Sequence, residues 1–144
     1  MYSRILVPTD GSDITRKAVD TAIALARKLD AQLFAVSVKE PFPYSAISEV
    51  QPIAPQEFYE AQEKVASQRV TAVVEAARAQ QVACSGHTVE SLHPWEAILD
   101  HAKAKNCDLI VMASHGRRGV AALLLGSETQ RVLLHTPVPV LVVK

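Results

Sequence analysis

The sequence predicts an α/β fold with a parallel sheet covered by helices on both faces, and three observations predict it. Short, almost wholly apolar runs at Ile5–Pro8, Leu33–Val38, Leu109–Ala113 and Val138–Val143 read as strands buried on both sides. Stretches with the apolar spacing of amphipathic helices separate them, so right-handed crossovers between parallel strands are expected. The chain has 144 residues, of which 49% are apolar and 21% charged, which suits one core and leaves no room for a second. Residues 1–144 are therefore expected to form a single domain that folds without disulfide or metal staples.

The first strand gives way at Pro8-Thr9-Asp10-Gly11-Ser12 to a helix of about 17 residues. Its apolar stripe is Ile14, Ala18, Ala22, Leu25 and Leu29, and its opposite face carries Arg16, Lys17, Asp20, Arg27 and Lys28. Asp10 and Ser12 both suit a capping role, with Ser12 the better placed. After the second strand, Glu40 to Ala54 has Pro41, Pro43 and Pro52 within it and Pro55 beside it, the composition of an extended surface loop of lid-like length. A longer helix is expected from Pro55 to Gln81, with Phe58, Ala61, Val65, Ala72 and Ala76 near one face. Ala83 to Glu90 is the weakest strand, because its apolar content is low and Gly86 interrupts it; an edge position would tolerate both. His93-Pro94-Trp95-Glu96 starts a third helix, since proline suits the first helical position, and Trp95, Ile98, Leu99 and Ala102 form its inner face. Gly126-Ser127 opens the last helix, where Ser127 and Gln130 have the spacing of a capping box.

Fifteen basic residues balance fifteen acidic ones, so no basic footprint points to nucleic acid or to an anionic membrane surface. Cys84 and Cys107 are far apart, lack CxxC spacing and sit among apolar residues, as reduced buried thiols do. No apolar run is long enough to span a bilayer and no secretory leader pattern precedes the first strand, so a cytoplasmic location is expected.

Chemistry concentrates at two strand ends. Met112-Ala113-Ser114-His115-Gly116-Arg117-Arg118-Gly119 follows a strand directly, and Gly126-Ser127 opens the next helix. Glycines admit close backbone approach, and a helix start offers N–H groups and a favourable dipole, a combination suited to phosphate. Helix capping alone would also account for Gly126 and Ser127. At the other strand end, Asp10 suits ribose hydroxyls as well as a local capping role. The two loops would be neighbours at a topological switch point, where a nucleotide could span them. The histidines 87, 93, 101, 115 and 135 show no metal-ligand spacing, so no metal cage is expected.

These residues resemble the universal stress protein family. The resemblance rests on Leu6-Val7-Pro8-Thr9-Asp10-Gly11-Ser12, on Ser114-His115-Gly116 followed after nine residues by Gly126-Ser127, and on the closing Pro137-Val138-Pro139-Val140-Leu141-Val142-Val143. It covers essentially the whole chain. It implies a Rossmann-like sheet of the adenine nucleotide alpha hydrolase type, with five parallel strands in the order 3-2-1-4-5. It also implies a homodimer, expected here through Val138 to Val143 because that apolar segment would form an uncovered edge.

In the family's nucleotide-binding branch, ATP is held by a loop of pattern G-x2-G-x9-G-S/T. Here Gly116, Gly126 and Ser127 match the later positions, and Ala113 stands where the first glycine belongs. The resemblance further places ribose on Asp10 beside Pro8 and Thr9, and adenine near Val38 and Met112. Phosphates would meet His115 and the backbone at Gly116, Gly126, Ser127, Glu128 and Thr129. The Glu128 carboxylate would repel a triphosphate unless Mg2+ or Mn2+ intervenes or the side chain turns away.

A stress-response regulatory protein that binds adenine nucleotide without efficient catalysis is the function so implied. Ala113 keeps open a dimeric scaffold that has lost its nucleotide. A slow ATP-hydrolysing enzyme is the third alternative, although Thr9-Asp10-Gly11-Ser12-Asp13 is neither an HxGH element nor an SGGxDS phosphate loop. No general base is positioned by any motif.

Overall fold

Strands and helices alternate along the residues that the computed structural model describes, 1–41, 55–116 and 125–144. In chain order they are β1 (Arg4–Pro8), α1 (Asp13–Leu29), β2 (Gln32–Lys39), α2 (Pro55–Ala79), β3 (Cys84–Glu90), α3 (Pro94–Ala104), β4 (Leu109–Ala113), α4 (Ser127–His135) and β5 (Val140–Val143). All strand pairs are parallel, and the order across the sheet is β3-β2-β1-β4-β5, as expected, with the weak strand at one edge. Most of the proposed lid loop, from residue 42 to 54, lies outside the described residues.

Alternation along each strand divides the core into two layers. Ile5, Val7, Leu33, Ala35, Leu109 and Val111 meet the inner faces of α1 and α2. Leu6, Phe34, Val36, Ile110 and Met112 meet α3 and α4 through Ile98, Ala102 and Val132. β1 is covered on both sides and paired at both edges, so Ile5, Leu6 and Val7 are wholly buried. That is why its sequence is a continuous apolar run rather than an alternating one.

The Ser12 hydroxyl caps α1 by accepting the Thr15 N–H, and Asp30, in the left-handed region at φ 54°, closes it by donating to Ala26 O. In α2 the buried stripe is Ala66, Val70, Val73 and Ala77, not the set expected from sequence. Val65 is 42% exposed, and Ala72 and Ala76 face solvent. The difference is steric: a Cβ at Gly86 would lie 3.1 Å from Val70 Cβ and 3.2 Å from Val74 Cγ2, so the helix seats on the groove that this glycine leaves in β3. Nearer the start of α2, Glu63 accepts hydrogen bonds from Lys39 Nζ, Thr88 Oγ1 and Ser67 Oγ, tying β2 and β3 to the helix. β5 begins at Val140, two residues later than expected. Thr136 Oγ1, bonded to the Val138 N–H and carbonyl, first folds the Pro137 to Pro139 segment into a turn.

At the amino ends of β1 and β4, the Asp108 carboxylate accepts the N–H groups of Ser3 and Arg4 and the Ser3 hydroxyl. Burial pushes this carboxyl up, but those donors together hold it below its ordinary value. Cys84 and Cys107 are free, and burial pushes each thiol up to about 11, which keeps both protonated at neutral pH.

His87 on β3 and His101 on α3 pack ring to ring, 4.9 Å between centroids. His87 Nδ1 and His101 Nε2 are buried without a hydrogen-bond partner. Burial, then nearby Lys105, holds His87 below the ordinary histidine range; His101 is lowered by burial, by His87 and by Lys105. Both therefore resist protonation in the fold, whereas the unfolded chain takes up these protons near pH ~6.5. The unfolded state binds more protons as pH falls through that value, and stability falls with it. The melting temperature should thus be nearly constant between about pH 7.5 and 8.5 and decline between about pH 6.5 and 5, with His101→Leu flattening the decline. A wild-type melting curve that does not move over that range would contradict the role of this pair.

Candidate functional site

The sheet changes direction of winding between β1 and β4. From β1 the chain passes through α1 on one face to β2; from β4 it passes through α4 on the other face to β5. The two crossovers diverge and leave a crevice beyond the carboxyl ends of the neighbouring strands β1 and β4, with a helix N-terminus on each side.

One wall is the β1–α1 turn. Thr9 N–H closes onto Val36 O, and Thr9 Oγ1 accepts the Gly11 N–H at 3.1 Å. Gly11 has φ 78°, a conformation that makes glycine the fitting residue here. Asp10 Oδ1 accepts the Ser12 N–H at 2.9 Å and the Thr15 hydroxyl at 3.0 Å. The carboxylate is thereby fixed with Oδ2 against the opposite loop, where a Cβ on Gly116 would stand 2.7 Å from it. Asp10 thus serves the local role and still reaches the second loop. It is a positioned acceptor, not an α1 cap, since Ser12 does the capping.

The other wall is built by β4 and α4. Ser114 N–H joins Val143 O, extending the β4–β5 pairing by one residue, and Ser114 O accepts the Gly126 N–H at 2.7 Å. Ser114 Oγ and His115 Nδ1 are 3.2 Å apart, and Thr129 Oγ1 donates to Ala113 O at 2.9 Å. These bonds draw the start of α4 onto the end of β4 from across the intervening segment, whose residues 117–124, including Arg117, Arg118 and Gly119, lie outside the described residues. Gly126 is the N-cap, with φ −61° and ψ 152°. The expected capping box is not formed: Ser127 is already helical, and Gln130 Nε2 donates to Leu125 O instead. A cap without a side chain leaves the amides of Ser127, Glu128 and Thr129, which precede the first helical donor at Gln130, pointing out of the helix end.

Ala113 has extended backbone within β4, pairs with Val143, and buries its methyl in the α1 layer. Alanine at this position therefore carries no backbone strain. Val38, half-buried, and Met112, buried, both pack in the α3/α4 layer, and Pro8 ends the strand between theirs. The structure thus brings together Pro8, Thr9, Asp10, Met112, Ala113, His115, Gly116, Gly126, Ser127 and Thr129 around the β1–β4 crevice, with Val38 one strand away. The Glu128 side chain spans the starts of two helices: Oε2 accepts the Trp95 N–H in the first turn of α3 at 2.8 Å. Ser114 was quoted in the sequence motif without a role, and its backbone proves to hold the loop together. Nothing in the spacing signalled Thr15 as a partner of Asp10.

The model of the universal stress protein family matches residues 1–144. The chain belongs to this family. Among curated members it is 34% identical to a universal stress protein of Thermus aquaticus, with all of both chains covered. It is 33% identical to the universal stress protein MJ0531 of Methanocaldococcus jannaschii, covering 100% of this chain and 83% of that one. Among solved structures, UspA of Lactobacillus plantarum superposes with a TM-score of 0.84 at 26% identity, covering 99% and 98% of the two chains. Two more distant universal stress proteins were solved with adenine nucleotides. One in complex with cAMP has TM-score 0.69, 24% identity and 99% and 96% coverage; one from Archaeoglobus fulgidus in complex with dAMP has 0.71, 21%, and 99% and 98%. These two share the fold.

The geometry changes the reason that Gly126 matters in this universal stress protein. A Cβ there would stand 3.0 Å from His115 Cα and 3.1 Å from His115 Cβ, so a side chain would press on the neighbouring loop before it reached any ligand. Gly126→Ala should therefore lower stability by about 1 kcal/mol through overpacking. Urea unfolding measures this directly, and an unchanged midpoint would show that the His115 loop yields freely.

Proposed function

We propose that this universal stress protein binds an adenine nucleotide, ATP in the first instance, in the crevice between β1 and β4. The observation that carries this is the convergence of Asp10 with Gly116 beside the uncapped start of α4. The crevice thereby pairs a fixed carboxylate, suited to ribose hydroxyls, with outward amides, suited to phosphate. The cAMP and dAMP complexes of fold relatives add support for this class of ligand. In this reading adenine lies along Val38, Pro8 and Met112, and the phosphates meet His115, Gly116, Gly126, Ser127, Glu128 and Thr129 at the loop and helix start. Among the described residues no three His, Cys, Asp or Glu side chains gather to hold a metal, so Mg2+ or Mn2+ would enter with the phosphate chain.

The function is regulatory binding rather than turnover, exercised in the cytoplasm by a homodimer of single-domain chains. Among the described residues no helix is long and apolar enough to cross a membrane. The dimer would form along β5, the edge strand on which Leu141 is 41% exposed. The scaffold alternative rested on Ala113, and the extended backbone and inward methyl of that residue weigh against it.

Calorimetric titration with ATP tests the site. Wild type should bind, Asp10→Ala should weaken binding by about tenfold or more, and Ala113→Gly should tighten it by no more than about tenfold. Absence of heat in wild type alongside tight binding by Ala113→Gly would replace this function with the scaffold. For the dimer, sedimentation of a Val142→Asp variant should give monomer or aggregate, and an unaltered dimer would place the interface elsewhere.

A further inference from the structure

Glu128 occupies the second position of α4, in the turn that would receive phosphate, yet its carboxylate is committed to another helix. α3 has no side-chain cap at His93, and Pro94 has no N–H, so the Trp95 N–H is the first amide of that helix in need of an acceptor. Glu128 Oε2 supplies it at 2.8 Å. At the far end of α4, His135 stacks on the Trp95 ring, 4.5 Å between centroids and 28° between planes. Trp95 is thus gripped by both ends of α4, and the carboxylate it anchors is held between the first turns of α3 and α4. The described segments that border the crevice, 8–13, 112–116 and 125–129, contain Asp10, Asp13 and Glu128, while Arg117 and Arg118 of the same loop lie outside the described residues.

We propose that Glu128 is a specificity-determining residue, which makes the site discriminate among adenine nucleotides by the charge of the phosphate chain. This rests on the nucleotide reading above. A monophosphate, or a triphosphate neutralised in part by a divalent cation, is favoured over the free triphosphate, because each added negative charge is repelled by a carboxylate tethered to Trp95 beside the start of α4. The same side chain caps α3, so charge and structure must be separated. Glu128→Gln does so, since its amide carbonyl still accepts the Trp95 N–H while the charge is gone.

The test is calorimetric titration of the full chain, wild type and Glu128→Gln, with AMP, with ATP plus chelator, and with ATP plus excess Mg2+. Wild type should bind AMP and the magnesium complex more tightly than chelated ATP. Glu128→Gln should tighten chelated ATP by about fivefold and AMP by no more than about twofold, in keeping with the worth of a charge at a helix N-terminus. Emission from Trp95, the single tryptophan, should stay unchanged in this variant, showing that the cap is kept. Glu128→Ala, which loses cap and charge together, should melt lower and show the same nucleotide selectivity as Glu128→Gln. Equal changes for the three ligands, or a selectivity change in Glu128→Ala alone, would overturn the proposal while leaving nucleotide binding intact. Failure of every form to bind any of the three would overturn the nucleotide reading, and this inference with it.

Discussion

The pairing of β1 with β2 on one side and β4 on the other is the constraint from which the rest of the structure follows. It buries Ile5, Leu6 and Val7 completely and fixes where the chain must leave the sheet at Pro8. Because β2 and β4 belong to crossovers on opposite faces, the turn after β1 and the loop after β4 are brought side by side. Asp10 then bridges that gap only because Ser12 and Thr15 hold one of its oxygens, which leaves the other to face Gly116. A side chain at position 116 would push this carboxylate aside, so the close approach of the two loops depends on a missing Cβ.

A second dependence runs through α4. This helix of nine residues is held at its start by Thr129 on Ala113 O and by Gly126 on Ser114 O, and it reaches α3 through Glu128 and His135. Isolated helices of this length are marginal in water, so its position is set by these tertiary bonds and by Val132, which is fully buried against the sheet. The segment that would carry ligand is thus rigidly attached at both ends to the α3/α4 layer.

Strand identity and order were legible in the sequence, the strands because apolar runs such as Ile5–Pro8 and Leu109–Ala113 leave little alternative, the order through family resemblance. The Ser12 cap was legible from residue type and position. What escaped was decided by contacts between distant segments. The stripe of α2 depends on Gly86, which is remote in sequence, so periodicity within the helix favoured Val65 and Ala72 over Ala66 and Val70. The capping-box spacing of Ser127 and Gln130 was real, but the helix starts one residue too early for it, because Gly126 is pulled onto Ser114 O. Likewise, the sequence raised the repulsion between Glu128 and phosphate, whereas only the fold could supply Trp95 as the place to which that side chain turns.

The clasp at the opposite end of the sheet gives the molecule a division of labour. Asp108 gathers Ser3 and Arg4 there, Arg4 Nε reaches Lys105 O, and its guanidinium covers Phe34 at 4.7 Å from the ring centre. None of these residues borders the crevice. Side-chain bonds lock strand registration at the amino ends, independently of the loops at the carboxyl ends. Substitutions in the loops at the carboxyl ends can therefore alter what the crevice presents while the amino-end clasp keeps the framework unchanged.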